Sequence, residues 1–273
     1  MSTVDTTIPT SATPGTSAAR GSNSLGRDTS LVFMRELQPL LRDSFSVLFT
    51  LVQPVFFLAL FGPLLARSTG LGTADALQWF VPGIIVMSAL FGASTTGANL
   101  ILEMQSGSHE RMLVAPLHRS ALLLGRAAKE VVPTLMQSLI LVAVTIPFGF
   151  RLEAAGILIG LPLVAAFAVG LGALSHALAI ATRKNDWMFW MVQQTLLFPL
   201  MILSGMLLPL DDAPRWMEVL SNVNPLTHVV DAERLLFAGE VTEAAVARGA
   251  VAAVAVLAIG LWVGIRAVSR NED

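Results

Sequence analysis

Residues 156–181 read GILIGLPLVAAFAVGLGALSHALAIA, a run of 26 residues without a single Asp, Glu, Lys or Arg. A helix needs about 20 mainly apolar residues to cross the hydrocarbon core of a bilayer. The only ionisable side chain of the run is His176, which lies near its end. This stretch therefore predicts a transmembrane helix.

Five further stretches predict membrane spans by the same criterion: residues 45–66, 80–102, 131–150, 187–208 and 249–268. The composition agrees, because 54% of the residues are hydrophobic and 13% are charged, against about 25% charged in soluble domains. The sequence therefore predicts an all-α integral membrane protein with a six-helix transmembrane domain over residues 45–268. The chain has no cysteine, which excludes disulfides and thiolate metal sites. The net charge of −2 gives no basic surplus for binding nucleic acid.

The basic residues orient these spans. With both termini in the cytoplasm, twelve Lys and Arg residues lie inside and five lie outside, as the positive-inside rule requires. Residues 1–27 are rich in Ser, Thr, Ala, Gly and Pro and lack the apolar core of a signal peptide. We expect them to form a disordered tail, with residues 269–273 as a short tail on the same side. The protein is thus expected to be a multi-pass protein of the cell membrane.

The segment before the first span, residues 28–44, predicts an amphipathic helix in the membrane interface. Apolar side chains recur at helical spacing on one face, as at Phe33, and charged side chains occupy the other, as at Arg35, Glu36 and Arg42. Such a helix either anchors the first span or also contacts a partner protein.

A polar segment, residues 103–119, reads EMQSGSHERMLVAPLHR between two apolar runs. It predicts a short cytoplasmic helix with a charged start and an apolar patch, within a loop that extends to residue 130. An exposed apolar patch rimmed by charge is typical of a docking surface, although an ordinary cytoplasmic turn would also fit. Its candidate docking residues are Ser108, Glu110, Arg111, Met112, Leu113, Pro116 and Arg119.

The long external loop, residues 209–248, predicts two helices, 213–223 and 226–238, separated by Asn224-Pro225. The second helix is amphipathic, with His228, Asp231, Glu233 and Arg234 assigned to its polar face. We interpret the pair as re-entrant helices that close the external end of a pathway; a solvent loop packed on the bundle is the alternative. The gate interpretation depends on the family resemblance described below, which implies the candidate gate residues Pro209, Trp216, Asn224, Pro225 and Arg234.

Uncharged polar residues and one histidine lie within the predicted spans: Gln53, Asn99, Gln137, His176 and Gln193. Such groups usually form hydrogen bonds between helices, and they could also line a pathway. No pair of ionisable residues is predicted at mid-span, which argues against a proton relay or an ion-coupled carrier. The charged residues are expected outside the spans, so a membrane-embedded enzyme and a metal site are not favoured.

Two motifs resemble one known family. The string Glu103-xxx-Gly107-Ser108-x-Glu110-Arg111-Met112-Leu113-Val114-x-Pro116-xx-Arg119 is similar to the signature loop of ABC-2 type transporter permeases. Within that family, the motifs resemble those of the daunorubicin-resistance permeases of drug exporters. A second similarity lies in the C-terminal half: Ser204-Gly205, Pro209, Pro214, Trp216, Asn224-Pro225 and Arg234. The order of the spans and of the long external loop resembles the same family.

This resemblance implies a coupling helix at residues 108–116 that inserts into an ATP-binding subunit, and it makes residues 28–44 the connecting helix beside that subunit. It further implies two permease subunits, as a homodimer, with two ATP-binding subunits in a bacterial cell membrane. Independently, neither Lys129 nor Lys184 follows the Gly-rich turn of a P-loop. ATP and Mg²⁺ are therefore expected on a separate chain, and this chain is expected to hold no cofactor and to be a transport subunit rather than an enzyme.

The expected cargo is a hydrophobic or amphipathic compound, such as a drug or a lipid-like metabolite, moved out of the cell. Export of polysaccharide or of a lipid-linked glycan is the alternative, since the same architecture carries such cargo. Polysaccharide channels favour aromatic residues along the pore, whereas this chain has no tyrosine and five tryptophans. A passive membrane scaffold would not need a charged cytoplasmic helix with an apolar tip.

Overall fold

The computed structural model of the chain describes residues 24–42, 44–70, 72–108, 118–210 and 213–269. The helices of these ranges, numbered in chain order, are α1 (Leu25–Arg42), α2 (Ser44–Thr69), α3 (Thr73–Gln105), α4 (Arg119–Lys129), α5 (Val131–Thr145), α6 (Ala154–Ala181), α7 (Asp186–Leu203), α8 (Arg215–Val223), α9 (Pro225–Phe237) and α10 (Ala244–Ser269). A 3-10 turn, Ile146–Phe148, extends α5. The all-α prediction is confirmed for the described residues. The predicted tails, residues 1–23 and 270–273, lie outside them.

Five of the described stretches are long and apolar enough to cross a membrane: Phe49–Arg67, Thr73–Gln105, Ser120–Phe148, Ala154–Ala181 and Ala244–Ser269. The predicted fifth span corresponds to α7, which is helical over 18 residues but is not one of the five. Its charged start at Asp186 and its pair Gln193-Gln194 lower its hydropathy. A multi-pass membrane protein is confirmed, and the count of six spans stays a prediction.

The structure adds a helix to one predicted loop. The sequence prediction extended a loop to residue 130, whereas the structure has the helix α4 there. α4 runs into α5 through a single turn at Glu130, and the apolar stretch that could cross a membrane begins at Ser120. Leu123 and Ala127, four residues apart on one face of this helix, are fully buried.

The centre of the bundle is α3, whose side chains between Ala76 and Ile101 are mostly buried. It packs extensively on α6, which in turn packs on α10. Glycines allow α6 and α10 to approach closely: a Cβ on Gly170 of α6 would lie 2.7 Å from Cα of Leu257 on α10. Small residues at such crossings let two backbones approach each other.

The bundle has two ends that matter for function. Along α3, Trp79 and Glu103 are separated by 24 residues, or about 36 Å at the rise of an α-helix. We call the end with Glu36, Glu103 and Arg126 the α1 end, because α1 packs on α4 there. The opposite end, with Trp79 and Arg234, is called the α9 end.

Candidate functional site

At the α1 end, helices α1 and α4 form a closely packed pair. The carboxylate of Asp28 is fully buried. Its Oδ2 accepts a hydrogen bond from the backbone N–H of His118 at 3.0 Å. The same oxygen lies 2.9 Å from Nδ1 of the His118 ring. Further along, Val32 packs on Leu122. A Cβ on Gly125 would lie 2.7 Å from the Cβ of Val32, so glycine permits this approach. α1 is therefore attached to α4 by both polar and apolar contacts.

Four charged side chains join three helices beside this pair: Glu36 of α1, Glu103 of α3, and Arg126 and Lys129 of α4. The guanidinium of Arg126 is only 3% exposed, and its Nη2 donates to Oε2 of Glu103. Its Nε lies 3.4 Å from Oε1 of Glu36, whose Oε2 lies 3.6 Å from Nζ of Lys129. Two acids thus balance two bases in what we call the Arg126 cluster.

The cluster stands next to the predicted docking segment. Residues 109–117, with Glu110, Arg111, Met112, Leu113 and Pro116, lie outside the described residues. Ser108 is helical at the end of the preceding range, and Arg119 is the first residue of α4. The segment therefore connects α3 to α4, the two helices that carry Glu103 and Arg126. A displacement of the segment would act directly on both helices.

The predicted residues of α1 lie on different sides of that helix. Glu36 belongs to the Arg126 cluster, and Phe33 is half-buried. Arg35 and Arg42 are exposed, where an interfacial or partner contact would place them. Their assignment to a partner surface stays a prediction.

A cavity of about 280 Å³ opens between α1, α2, α3 and the α4–α5 junction. It brings together three of the predicted pathway residues, Gln53, Asn99 and Gln137. The amide of Gln137 donates to the backbone carbonyl of Thr50 at 3.0 Å and so links α5 to α2. His176, which is buried in α6, and Gln193 of α7 do not line this cavity.

The sequence reasoning missed Glu130, which also lines the cavity. Its side chain is 3% exposed, and its Oε1 accepts a hydrogen bond from the hydroxyl of Thr96 at 2.7 Å. The stretch Ser120–Phe148 is long and apolar enough to cross a membrane and also contains Arg126, Lys129 and Glu130. The expectation that charged residues lie outside the spans stays a prediction. Spacing could have indicated the burial of Glu130, since Glu130 follows Leu123 and Arg126 by seven and four residues, on one helical face.

At the α9 end, Arg234 ties α9 to two other segments. Its guanidinium carbon lies 3.8 Å from the centre of the Trp79 ring, a cation–π contact. Its Nε donates to the carbonyl of Trp79 at 3.2 Å, and its Nη2 donates to the carbonyl of Gly205 at 2.8 Å. Together with Pro209, Arg234 lines a second cavity of about 520 Å³.

Asn224 and Pro225 fix the turn between α8 and α9. Asn224 caps α9, because its Oδ1 accepts from the backbone N–H of Leu226 at 3.1 Å. Its Nδ2 donates to the carbonyl of Leu200 of α7 at 2.7 Å. Pro225 is the first residue of α9, where its missing N–H costs nothing. Trp216 is exposed on α8, and the gate role of these residues stays a prediction.

The sequence analysis assigned Glu233 to the polar face of α9, and this is wrong. The side chain is fully buried, and a Cβ on Gly160 of α6 would lie 2.5 Å from its Oε2. Within the described ranges, neither carboxylate oxygen has a hydrogen-bond partner. Burial raises the pKa of Glu233 to about 8, so its neutral acid form predominates at pH 7.

We expect Asn224→Ala to lower the free energy of unfolding by about 1–2 kcal/mol, because it removes the helix cap and the bond to α7. The measurement is thermal unfolding of the purified chain in detergent. Asn222→Ala is the matched control, since Asn222 is exposed and its side chain donates within α8, to the carbonyl of Glu218. Equal unfolding temperatures for the two variants would contradict a special role of Asn224.

Comparison with known proteins assigns the fold. The family model of the ABC-2 type transporter matches residues 27–237, which include most of α1, the described part of the docking segment, and the helices α8 and α9. The chain belongs to the ABC-2 type transporter family. The resemblance stated from the sequence motifs is thereby confirmed.

Several relatives of this ABC-2 protein carry transport names. It is 27% identical to a putative transport permease ycf38 of Cyanophora paradoxa over 77% of this chain and 76% of the relative. It is 23% identical to the daunorubicin resistance ABC transporter permease protein DrrB1 of Streptomyces coeruleorubidus, over 69% and 67% of the two chains. A probable doxorubicin resistance ABC transporter permease protein DrrC of Mycobacterium tuberculosis is 25% identical, over 71% and 70%.

Proposed function

We propose that this chain is the membrane subunit of an ABC exporter that moves hydrophobic or amphipathic compounds out of the cell. A separate ATP-binding subunit, present in two copies, would bind ATP and Mg²⁺ and supply the energy. Two copies of this chain would form the translocation unit in a bacterial cell membrane. Membership of the ABC-2 family supports the transport role and the need for an ATP-binding partner.

The Arg126 cluster is the observation that carries this proposal. A partner that pushes on residues 109–117 from the cytoplasm moves the ends of α3 and α4. Since Arg126 is bonded to Glu103 and paired with Glu36, the push also reaches α1. Buried ion pairs resist separation because a lone buried charge is costly. The three helices therefore move as one unit, and α3 carries that motion into the core.

The proposed orientation follows from the helix directions. If the α1 end is cytoplasmic, α7 is the fifth of six spans, and α8 and α9 lie at the external end. Both termini are then cytoplasmic, and the basic residues obey the positive-inside rule. In this arrangement Arg234 and Asn224 hold α9 against α3 and α7 at the exit side.

The lining of the cavity at the α1 end supports an amphipathic cargo. Its apolar side chains are mainly aliphatic or methionine, and Phe91 is the one aromatic residue among them in the described part of the chain. Glycan sites usually present several aromatic faces, whereas a soft methionine-containing wall suits apolar ligands of varied shape. The amides of Gln53, Asn99 and Gln137 supply a few polar contacts.

We expect Glu110→Ala and Arg111→Ala each to abolish most ATP-driven export while leaving membrane insertion intact, because they remove charged contacts at the proposed coupling helix. The measurement is export from cells that also produce the ATP-binding subunit, together with the ATPase rate of the purified complex. Arg183→Ala is the matched control, since Arg183 is exposed in the turn between α6 and α7 at the same end. Export at the wild-type rate from both variants would contradict the coupling role.

A further inference from the structure

The cavity at the α1 end extends from a charged rim to an apolar interior. Along α3 its lining runs from Asn99 to Met87, a distance of about 18 Å at the rise of an α-helix. Thr50, Gln53 and Asn99 are exposed, so the cavity is open on that side. Its depth and opening would admit a molecule with an apolar body and one polar end.

The charges at the rim do not cancel. Lys129 and Glu36 form an ion pair at 3.6 Å, and Glu36 is also paired with Arg126. Glu130 is bonded to the neutral hydroxyl of Thr96. In the described ranges, no basic side chain lies within the 4.0 Å of a salt bridge from its carboxylate. When ionised, Glu130 therefore leaves one net negative charge at the wall of the cavity.

Gly92 leaves room beside the carboxylate of Glu130. A Cβ on Gly92 would lie 3.9 Å from Oε2 of Glu130, and outside the neighbouring backbone of α3 no other described atom would be as close. Because both residues line the cavity, the space above the carboxylate is open. A larger side chain at position 92 would fill that space.

We propose that this cavity binds cationic amphiphiles, with the cationic nitrogen at Glu130 and the apolar body against Met87, Phe91 and Ile140. The inference rests on the proposed function and names the class of its cargo. A buried carboxylate is costly unless a cation pairs with it, and an organic cation brings that charge together with its own apolar surface. The ring of Phe91 adds a face for a cation–π contact.

The test measures binding by the purified full chain in lipid nanodiscs, without any ATP-binding subunit. The probes are rhodamine 6G, a cationic amphiphile, and Nile red, a neutral one, followed by fluorescence polarisation against empty nanodiscs. Glu130→Gln should weaken rhodamine 6G binding by about tenfold or more, as expected when one partner of a desolvated charge pair is lost. Nile red binding should change by less than about twofold, since an amide keeps the shape of the site.

Gly92→Leu should weaken both probes, because it fills the space beside Glu130 while keeping the carboxylate. It also tests the site should Glu130→Gln fail to fold. Glu153→Gln is the matched control, since Glu153 is exposed and precedes α6 near the α9 end; it should bind both probes like the wild type.

The proposal is overturned if the wild type binds rhodamine 6G no better than empty nanodiscs do. It is also overturned if Glu130→Gln leaves that binding unchanged, if it weakens both probes equally, or if Gly92→Leu binds both normally. These results would leave the proposed export function standing, because they do not involve the ATP-binding subunit. Conversely, normal export from the Glu110 and Arg111 variants would contradict the coupling role and leave the binding of cationic amphiphiles untouched.

Discussion

Arg126→Met should lower the free energy of unfolding by about 3 kcal/mol, the lower end of the range for breaking a buried ion pair. The substitution keeps the apolar stem of the side chain but leaves Glu36 and Glu103 without the cation that joins them. The lower end applies because these carboxylates are 14% and 27% exposed, so water screens part of the lost attraction. Thermal unfolding of the purified chain in detergent measures the effect.

Two further variants separate charge from packing. Adding Glu103→Gln to Arg126→Met should recover part of the lost stability, because one uncompensated carboxylate is removed. Arg183→Met is the matched control, since Arg183 is exposed at the same end and should change stability little. If Arg126→Met unfolds at the wild-type temperature, the cluster does not hold α1, α3 and α4 together.

The same variant bears on coupling. If the Arg126 cluster passes motion from residues 109–117 to α1, Arg126→Met should also reduce export per ATP hydrolysed in the folded complex. A variant that is destabilised yet exports at the normal ratio would make the cluster structural only. The two readouts, unfolding temperature and export ratio, therefore answer different questions about one residue.

Long apolar runs made the main helices predictable from sequence. In lipid, buried backbone polar groups must be paired within the chain, which a helix achieves. A long apolar run such as residues 156–181 therefore predicts its own helix. The observed α6, Ala154–Ala181, begins two residues earlier than predicted. The helices α8 and α9 were predicted from the break at Asn224-Pro225, and Pro225 does begin α9. Local chemistry decided these elements.

The helix α4 was not predictable in the same way, because Arg126, Lys129 and Glu130 lower its hydropathy. They are tolerated there through tertiary partners: Glu36 on α1, and Glu103 and Thr96 on α3. Sequence spacing shows which residues share a helical face, but it does not show which charged side chain of another helix packs against that face. The predicted docking residues therefore came from a motif, whereas the cluster that connects them to the bundle emerged only from packing.

Glu233 shows a different failure. It was assigned to the polar face with its neighbours Asp231 and Arg234, yet it lies four residues after Val229 and three before Leu236, both fully buried. Helical spacing therefore placed it on the apolar face. Glu233 was assigned to the polar face because it is a glutamate, and buried carboxyl groups are rare. The raised pKa explains how the fold tolerates this one.

Gly260→Leu should prevent the native crossing of α6 and α10. It should lower the free energy of unfolding by more than the roughly 1–3 kcal/mol that is usual for overpacking a core. In the structure, a Cβ on Gly260 would overlap the carbonyl of Gly170, which is backbone and cannot rotate away. α10 would have to move off α6, and it also packs extensively on α9. The expected result is a sharp fall in the yield of monodisperse protein and in its unfolding temperature.

Ala258→Leu is the matched control for this prediction, because Ala258 is exposed on the same helix two residues earlier. The added side chain there faces lipid or detergent, so yield and unfolding temperature should stay near the wild-type values. Gly260→Ala should fall between the two leucine variants, since its methyl group already meets the Gly170 carbonyl. If Gly260→Leu folds as well as Ala258→Leu does, α6 and α10 do not pack by the close backbone contact described. In that case, this contact would also not be what positions α9 against both helices.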